Sequence, residues 1–556
     1  MEADDYYDLG SYGRTVTTAS AEAQRWFDRG LVWSYGFNHG EAIRCFERAL
    51  DADPACAMAH WGIAYAVGPN YNVAWDAFDE TELPAVVARA HASVRAARSC
   101  AGAASPIEQA LIAALAERYP EPVPPDDLTR WSEAYAMAMR AVYARFADDP
   151  DVAALFADAL MNRTPWMLWN IAAGVPAEGA DTLEILAALE RAIAHGEAAG
   201  RAHHPGLLHF YVHAMEMSPF PERALHAADA LRDLVPDSGH LRHMATHIDV
   251  LCGLYRDVVV TNEQAIIADR RFAAREGALN FYTLYRCHNL HFKLYGAMFL
   301  GDPGAALEAA DEFAETLTEE LLRIQSPPMA DWIEGFVPIR LHALIRFGLW
   351  QEIIDAPFPA DAELYCVTTA MLHYAKGVAH AARGEIAVAQ DHEHLLVAAR
   401  ARVPATRMLF NNTCADILAI AAEMLAGEIA YRHGELDDAF AHLRRSVELD
   451  DALPYDEPWG WMQPTRHALG ALLLEQGRVS DAEAVYRADL GLDDSIGRPC
   501  QHPDNVWSLH GYHECLRRLG KSPEAAIVSP RLQLALARAT VPIAASCYCR
   551  AAAVPA

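Results

Sequence analysis

The chain has 556 residues, of which 53% are hydrophobic and 22% charged, a composition typical of a globular protein and not of a disordered one. Its formal net charge of −30 disfavours binding to nucleic-acid phosphates or to an anionic membrane surface. The acidic N-terminal segment does not resemble a signal peptide, and no apolar run reaches the ~18 residues of a transmembrane helix. The 11 Cys do not suggest a disulfide framework. We therefore expect a cytoplasmic protein.

Helical patterns fill the chain, and strand patterns are nearly absent. Stretches rich in Ala, Leu, Glu and Arg are interrupted at short intervals by Gly, Pro or Asp-Pro. This pattern predicts an all-α fold. Clusters of proline predict loose boundaries, which give N-terminal helical repeats at 1–119, histidine-rich helices at 126–355, C-terminal repeats at 362–546 and a tail at 547–556.

Residues 23–56 carry the most regular part of this pattern. Small side chains let two helices cross closely, aromatic side chains fill the crossing, and a proline ends the second helix. The residues in these roles are Trp26, Gly30, Ala42, Phe46, Ala49 and Pro54. Their spacing resembles the tetratricopeptide repeat (TPR) of 34 residues.

Weaker copies keep the same step between two small residues, at Gly377 and Ala389, Gly427 and Ala439, and Gly470 and Ala482. The resemblance to TPR proteins implies a TPR-like α-solenoid, which is a superhelix of antiparallel helix pairs with a concave central groove.

Histidines are concentrated between residues 204 and 295. His209, His213 and Glu216 are spaced i, i+4, i+7, which places them on one face of a helix. His240, His243 and His247 also share one face. The steps from His209 to His243 and from His213 to His247 are both 34 residues, which is the TPR period.

A third segment contains His288 and His291. In the TPR family, positions 2, 5, 9 and 12 of the first helix of a repeat face the concave groove, and the histidines fall at positions 2, 5 and 9. The resemblance therefore implies one groove lined by imidazoles. We predict a metal site there, formed by His209, His213, Glu216, His240, His243, His247, His288 and His291. A pH-sensitive or simply hydrogen-bonded polar groove is the alternative.

The number of imidazoles exceeds a single tetrahedral zinc site and suits two transition-metal ions. Copper or iron fits this set, and zinc fits it less well. The main hypothesis is therefore a metal-dependent oxidoreductase that uses O₂ and acts on a small organic substrate. Two alternatives stay open: a non-enzymatic TPR scaffold that binds a protein or peptide in its groove, and a two-metal zinc hydrolase.

Further side chains are candidates for the wall of a substrate pocket. They are Tyr282, Tyr285, Trp332, Glu457, Trp459, Trp461 and His467. Metal-bound imidazoles also need hydrogen-bond acceptors behind them, and Asp249 or Asp331 could serve.

Four segments, at 59–65, 68–72, 240–248 and 280–285, together resemble a mostly uncharacterised group of TPR-containing proteins. That group has a His-rich H-x-x-H-M-x-[ST]-H-I block, which is matched here at 240–248, with Ala245 and Thr246 in its middle. The resemblance implies the fold and supplies no reaction.

Overall fold

Helices make up almost all of the regular structure in the computed structural model, which describes residues 6–550. The strands within these residues are two short antiparallel hairpins. They pair Trp169–Asn170 with Val175–Pro176, and Met408–Leu409 with Asn412–Thr413. The prediction of an all-α fold is confirmed. Among the described helices, none has the length and the apolar character needed to cross a membrane.

The chain divides into two compact units. The first contains the residues up to Ile248 together with Gln264–Gly277, and the second contains Asp249–Glu263 and the residues from Ala278 onward. The division at proline clusters stays a prediction, and residues 551–556 of the predicted tail lie outside the described residues.

The helices of the first unit are α1 Ala21–Tyr35, α2 His39–Ala52, α3 Ala57–Val67, α4 Leu83–Cys100, α5 Pro106–Ala116, α6 Thr129–Phe146, α7 Pro150–Met161, α8 Thr182–Ala198, α9 Pro205–Glu216, α10 Leu225–Leu231 and α11 Gly239–His243. Two further helices contain residues of both units, namely α12 Ala245–Leu251 and α13 Tyr255–Glu276. Single 3₁₀ turns lie at Trp75–Ala77, Ala101–Ala103 and Pro221–Ala224.

The helices of the second unit are α14 Thr283–Leu300, α15 Pro303–Thr316, α16 Glu319–Leu322, α17 Met329–Ile333, α18 Ile339–Arg346, α19 Trp350–Asp355, α20 Cys366–Ala382, α21 Ile386–Arg400, α22 Cys414–His433, α23 Leu436–Asp451, α24 Thr465–Glu475, α25 Val479–Asp489, α26 Val506–Arg518 and α27 Ser522–Arg538. The 3₁₀ turns here are Glu334–Phe336 and Arg498–Cys500. Beyond α27, Cys547 and Cys549 form a disulfide.

The pair α1–α2 shows how the sequence specifies a TPR-like crossing. The side chain of Ser20 accepts a hydrogen bond from the first turn of α1, and Asn38 does the same for α2. A Cβ atom added at Gly30, or at Gly62 on α3, would lie 2.6 Å from the ring of Phe46. One aromatic ring therefore fills the space left by two glycines, and the predicted repeat at 23–56 is confirmed.

The second unit repeats this construction in its C-terminal half. A Cβ at Gly377 would meet Leu425 at 2.7 Å, one at Gly427 would meet Leu443 at 2.9 Å, and one at Gly470 would meet the ring of Tyr486 at 2.5 Å. Each pair α20–α21, α22–α23 and α24–α25 is joined by a short turn with a glycine in the left-handed region, at Gly384, Gly434 and Gly477. The helices thus stack in consecutive pairs, as in a TPR solenoid.

Candidate metal centre

Helices α9, α11 and α12 carry the six predicted ligands that belong to the first unit. Helix α9 begins at Pro205, where the N–H of Leu207 donates to Nδ1 of the capping His204 (3.1 Å). All 12 residues of α9 are buried. Because this helix has no solvent-facing side, its histidines and Glu216 must find their partners inside the protein.

One ring nitrogen of His209 is hydrogen-bonded to a backbone carbonyl. Its Nδ1 lies 2.6 Å from the carbonyl oxygen of Tyr35, at the end of α1. Burial lowers the pKa of His209 well below its usual value, and the neighbouring His213 lowers it further, so the ring is neutral. A carbonyl can only accept, so Nδ1 carries the proton and Nε2 carries a lone pair. Within residues 6–550 this Nε2 has no hydrogen-bond partner.

His213 is held in the same way by a carboxylate. Its Nδ1 lies 2.9 Å from Oε1 of Glu216, one turn further along α9. Burial, followed by the nearby His247, lowers the pKa of His213 well below its usual value. The Nε2 atom of His213 is therefore a second buried lone pair, and it too finds no hydrogen-bond partner in the described part of the chain.

His240, at the start of α11, completes a group of three. Its ring centroid lies 5.0 Å from that of His209 and 6.4 Å from that of His213. One nitrogen from each of the three rings lies within 4.8 Å of the other two. Burial, and then the neighbouring His209, lower the pKa of His240 well below its usual value. We call these residues the three-histidine group, and all three are 0% exposed.

Glu216 links this group to His243 and His247. Its Oε2 atom lies 2.7 Å from Nδ1 of His247, while Oε1 holds His213. Nε2 of His247 faces Nε2 of His243 at 2.8 Å. The tautomers of the two rings decide which of these nitrogens donates across this contact. His213, Glu216 and His247 also place one ligand atom each within 4.8 Å of the other two, but the carboxylate of Glu216 is already hydrogen-bonded to both rings.

The ring of Phe37 covers the three-histidine group. It lies 4.6 Å from the ring of His209, 5.9 Å from that of His213 and 5.7 Å from that of His240. Phe37 has a φ of 54°, in the left-handed region that bulky residues avoid. Such strain persists only where the surroundings hold it, and it concentrates at functional sites.

His288 and His291 lie on α14 in the second unit. The ring of His288 contacts Phe292 and Phe410 at 5.1 and 5.0 Å. Nε2 of His291 lies 2.5 Å from Sδ of Met462. Burial, and then the nearby His342, lowers the pKa of His291 to about 3. The role of both residues in a metal site stays a prediction.

Three of the predicted pocket residues share one aromatic cluster in the second unit. The rings of Tyr282 and Tyr285 lie 5.7 Å apart, and Phe281 contacts both Tyr285 (6.1 Å) and Trp332 (6.0 Å). A packed aromatic core would show the same ring contacts, so these contacts do not by themselves identify a substrate pocket.

The other four pocket candidates make separate contacts. Glu457 accepts a hydrogen bond from the Tyr455 hydroxyl, and Trp459 donates to the side chain of Asp450 (3.1 Å). Trp461 packs edge-on against His342 at 5.0 Å. His467 lies between Arg346 and Asp489, 3.0 Å from a side-chain atom of each. Their membership of one pocket stays a prediction.

Sequence reasoning missed Tyr35 and Phe37. For His209 and His213, the acceptors are the Tyr35 carbonyl and Glu216, and not the expected Asp249 or Asp331; Asp331 faces Arg407 at 3.2 Å. A backbone carbonyl leaves no signal in the sequence. Phe37 follows Gly36 at the end of α1. The glycine indicates a turn in the sequence, but nothing there indicates that the Phe37 ring contacts three histidines.

No family model and no curated protein matches the chain. Solved structures similar to it include a human IFIT1 dimer with m7Gppp-AAAA (10% identity, TM-score 0.30, covering 95% of this chain and 92% of that one). Yeast Tom70 is another, with 8% identity and a TM-score of 0.28, and the match covers 92% of this chain and 99% of that one. Naa15/Naa10 bound to HypK-THB is a third, with 12% identity and a TM-score of 0.20, and the match covers 93% of this chain and 65% of that one. Likenesses with TM-scores this low decide neither fold nor function.

Proposed function

We propose that the protein is a TPR-type binding scaffold whose first unit holds one transition-metal ion on His209, His213 and His240. The observation that supports this most is the state of two ring nitrogens, the Nε2 atoms of His209 and His213. Both are buried, both carry lone pairs, and neither has a hydrogen-bond partner among the described residues. Leaving one such group unsatisfied costs about 1–3 kcal/mol, and a metal ion would satisfy both.

The hydrogen bonds behind these nitrogens support the same proposal. Metal-ligating histidines almost always donate their other ring N–H to a carboxylate or a backbone carbonyl, which fixes the tautomer and the ring orientation. The Tyr35 carbonyl does this for His209 and Glu216 does it for His213. In this proposal Glu216 orients a ligand and is not itself bound to the metal.

Copper or iron remains the proposed metal, with zinc less favoured, since three neutral imidazoles suit all of these ions. A second ion on His243 and His247 would have to replace the hydrogen bond between them and the one from His247 to Glu216. The geometry of the first unit therefore favours one ion over two.

Complete burial favours a metal that stabilises a scaffold over one that turns over a substrate. A substrate would have to displace the ring of Phe37, which contacts all three histidines, or that of Tyr71, 5.1 Å from His213. An O₂-using oxidoreductase or a zinc hydrolase needs an accessible coordination position. Stacked TPR-like helix pairs present extended surfaces that suit protein or peptide segments, so a protein partner is the proposed ligand of the scaffold.

The test is the metal content of full-length protein made without a His tag and without a nickel column. In the three-histidine group we expect one copper or iron ion per chain, so His209→Ala and His213→Ala should each lower the metal content by one ion. His226→Ala is the matched control, because this histidine lies in the same unit with its side chain 79% exposed.

Three results would change the proposal. A metal content in both His209→Ala and His213→Ala equal to that of the unaltered chain would exclude the site, as would failure to bind copper, iron or zinc after reconstitution. Metal-dependent consumption of O₂ by the loaded protein would restore the oxidoreductase hypothesis in place of the scaffold.

A further inference from the structure

The second unit contains a small buried cavity of about 20 Å³. Two histidines and three sulfur-bearing side chains line it, namely His291, His342, Met371, Cys414 and Met462. Every other residue in its wall is aliphatic, Gly or Pro. Since a cavity needs roughly 10–15 Å³ to hold one water molecule, this one has room for a single water or a single ion.

The two imidazoles are held in this apolar wall without their usual hydrogen bonds. His291 is 0% and His342 is 5% exposed. Within the described residues, Nδ1 of each ring has no hydrogen-bond partner. Nε2 of His291 instead faces a thioether, Sδ of Met462, at 2.5 Å. A thioether is a weak hydrogen-bond acceptor, so it compensates a buried imidazole poorly.

Three elements hold these donors in place. His291 lies on α14 and His342 on α18, while Met462 lies in the segment before α24. The side-chain amide of Gln463 donates to the backbone carbonyl of His342, which fixes that segment on α18. Trp461 packs edge-on against the ring of His342 at 5.0 Å. The loop and the helix therefore bring a thioether and an imidazole to the same cavity by direct contacts.

The chemistry of these donors identifies a class of ligand. Imidazole and thioether are neutral, and no carboxylate lines the cavity. The Born cost of burying an ion grows with the square of its charge, so a wall of neutral donors disfavours a divalent ion. Thioether donors select soft ions such as Cu(I).

We propose that this cavity is a copper(I) site in which His291, His342 and Met462 are the ligands. With metal–nitrogen and metal–sulfur bonds of about 2.0 and 2.3 Å, two donors on one ion lie roughly 3.5 Å apart. Met462 must therefore swing outward by about 1 Å, which an unbranched thioether chain does readily. Met371 and Cys414 line the cavity beside these ligands. The site does not depend on the three-histidine group, because it has its own donors in the other unit.

The test uses full-length protein with His213→Ala, which removes a ligand of the three-histidine group. Cu(I) is supplied without oxygen from a bathocuproine disulfonate buffer, and X-ray absorption identifies the atoms bound to copper. We expect one Cu(I) with nitrogen and sulfur neighbours. Adding Met462→Leu, which conserves volume, should weaken binding at least about tenfold and remove the sulfur signal.

Adding Met167→Leu instead is the matched control, because Met167 is 61% exposed, and it should change neither result. If Met462→Leu alters the circular dichroism, His342→Gln replaces it and should weaken binding by a similar factor. Unchanged affinity and an unchanged sulfur signal in these variants would overturn the proposal, and so would absence of Cu(I) binding in the His213→Ala protein. Both outcomes are independent of the metal content of the three-histidine group.

Discussion

Buried histidines occur in two different settings in this protein. In the second unit, His467 lies between Arg346 and Asp489, so that both of its ring nitrogens have a partner 3.0 Å away. In the first unit, His209 and His213 each have one ring nitrogen that is satisfied and one that is not. The arrangement around His467 is a hydrogen-bond network that stabilises the fold. The arrangement around His209 and His213 leaves one nitrogen of each ring unsatisfied until a ligand binds.

The largest loss of stability is expected from a substitution of Asp489, in the hydrogen-bond network around His467. Its carboxylate accepts hydrogen bonds from His467, His502, Asn505 and Ser508, and it is completely buried. Asp489→Asn removes the charge and places an amide donor among groups that donate. We expect a loss of about 3–5 kcal/mol in the free energy of unfolding, measured with urea, and no change in the metal content of the first unit.

The exposed ion pair of Asp481 with Arg478 provides the control for that experiment, since Asp481→Asn should cost less than about 1 kcal/mol. If Asp489→Asn costs no more than this control, the network does not stabilise the second unit as we describe.

Helix crossings also differ in whether a glycine faces a rigid ring or a flexible side chain. A methyl group at Gly30 would meet a rigid ring, Phe46, whereas one at Gly427 would meet the flexible side chain of Leu443. We expect Gly30→Ala to destabilise the protein by about 1–3 kcal/mol and Gly427→Ala to do so by less.

Gly40, within α2, has no atom within 4 Å of its added Cβ. Gly40→Ala should therefore stabilise the protein by roughly 0.5–1 kcal/mol, with the free energy of unfolding of all three glycine variants measured with urea. Equal effects at Gly30 and Gly40 would contradict the packing that we assign to Phe46.

Glu216 should affect metal binding without being a ligand. Glu216→Gln keeps the shape but weakens the hydrogen bonds to Nδ1 of His213 and of His247. We expect the affinity for the metal, measured by competition with a chelator, to fall by about 10–100-fold while the stoichiometry is unchanged. Complete loss of the metal would indicate that Glu216 is a direct ligand, as the sequence predicts.

His39 tests the burial of a neutral imidazole through the pH dependence of stability. Burial lowers its pKa to about 4, so between pH 4 and pH 6.5 the unfolded chain binds a proton that the folded chain does not. Stability should therefore fall as the pH falls through this window, with a contribution of about 1.4 kcal/mol per pH unit. His39→Gln should reduce the slope by that amount in urea titrations at several pH values, and an unchanged slope would contradict the burial of a neutral imidazole.

The fold is predictable where local sequence determines it. Gly30, Ala42 and Phe46 specify a helix crossing because only small residues let two helices approach that closely. The step of 34 residues between His209 and His243, and between His213 and His247, is likewise visible in the sequence, and the structure brings these four side chains together.

The rest depends on contacts between distant segments. The contact of the Phe37 ring with His209 and the hydrogen bond from His209 to the Tyr35 carbonyl form only where the end of α1 packs beside α9. The partners of His467 come from Arg346, 121 residues away, and from Asp489, 22 residues away. No periodicity along the chain encodes such pairs.

The most direct test is a crystal structure of the tag-free protein with anomalous diffraction recorded at the copper and iron absorption edges. We predict an anomalous peak about 2.0–2.1 Å from Nε2 of His209 and from Nε2 of His213, with a nitrogen of His240 as the third ligand. Ordered water molecules hydrogen-bonded to these nitrogens, with no anomalous peak between them, would contradict the metal centre and leave a hydrated polar core in its place.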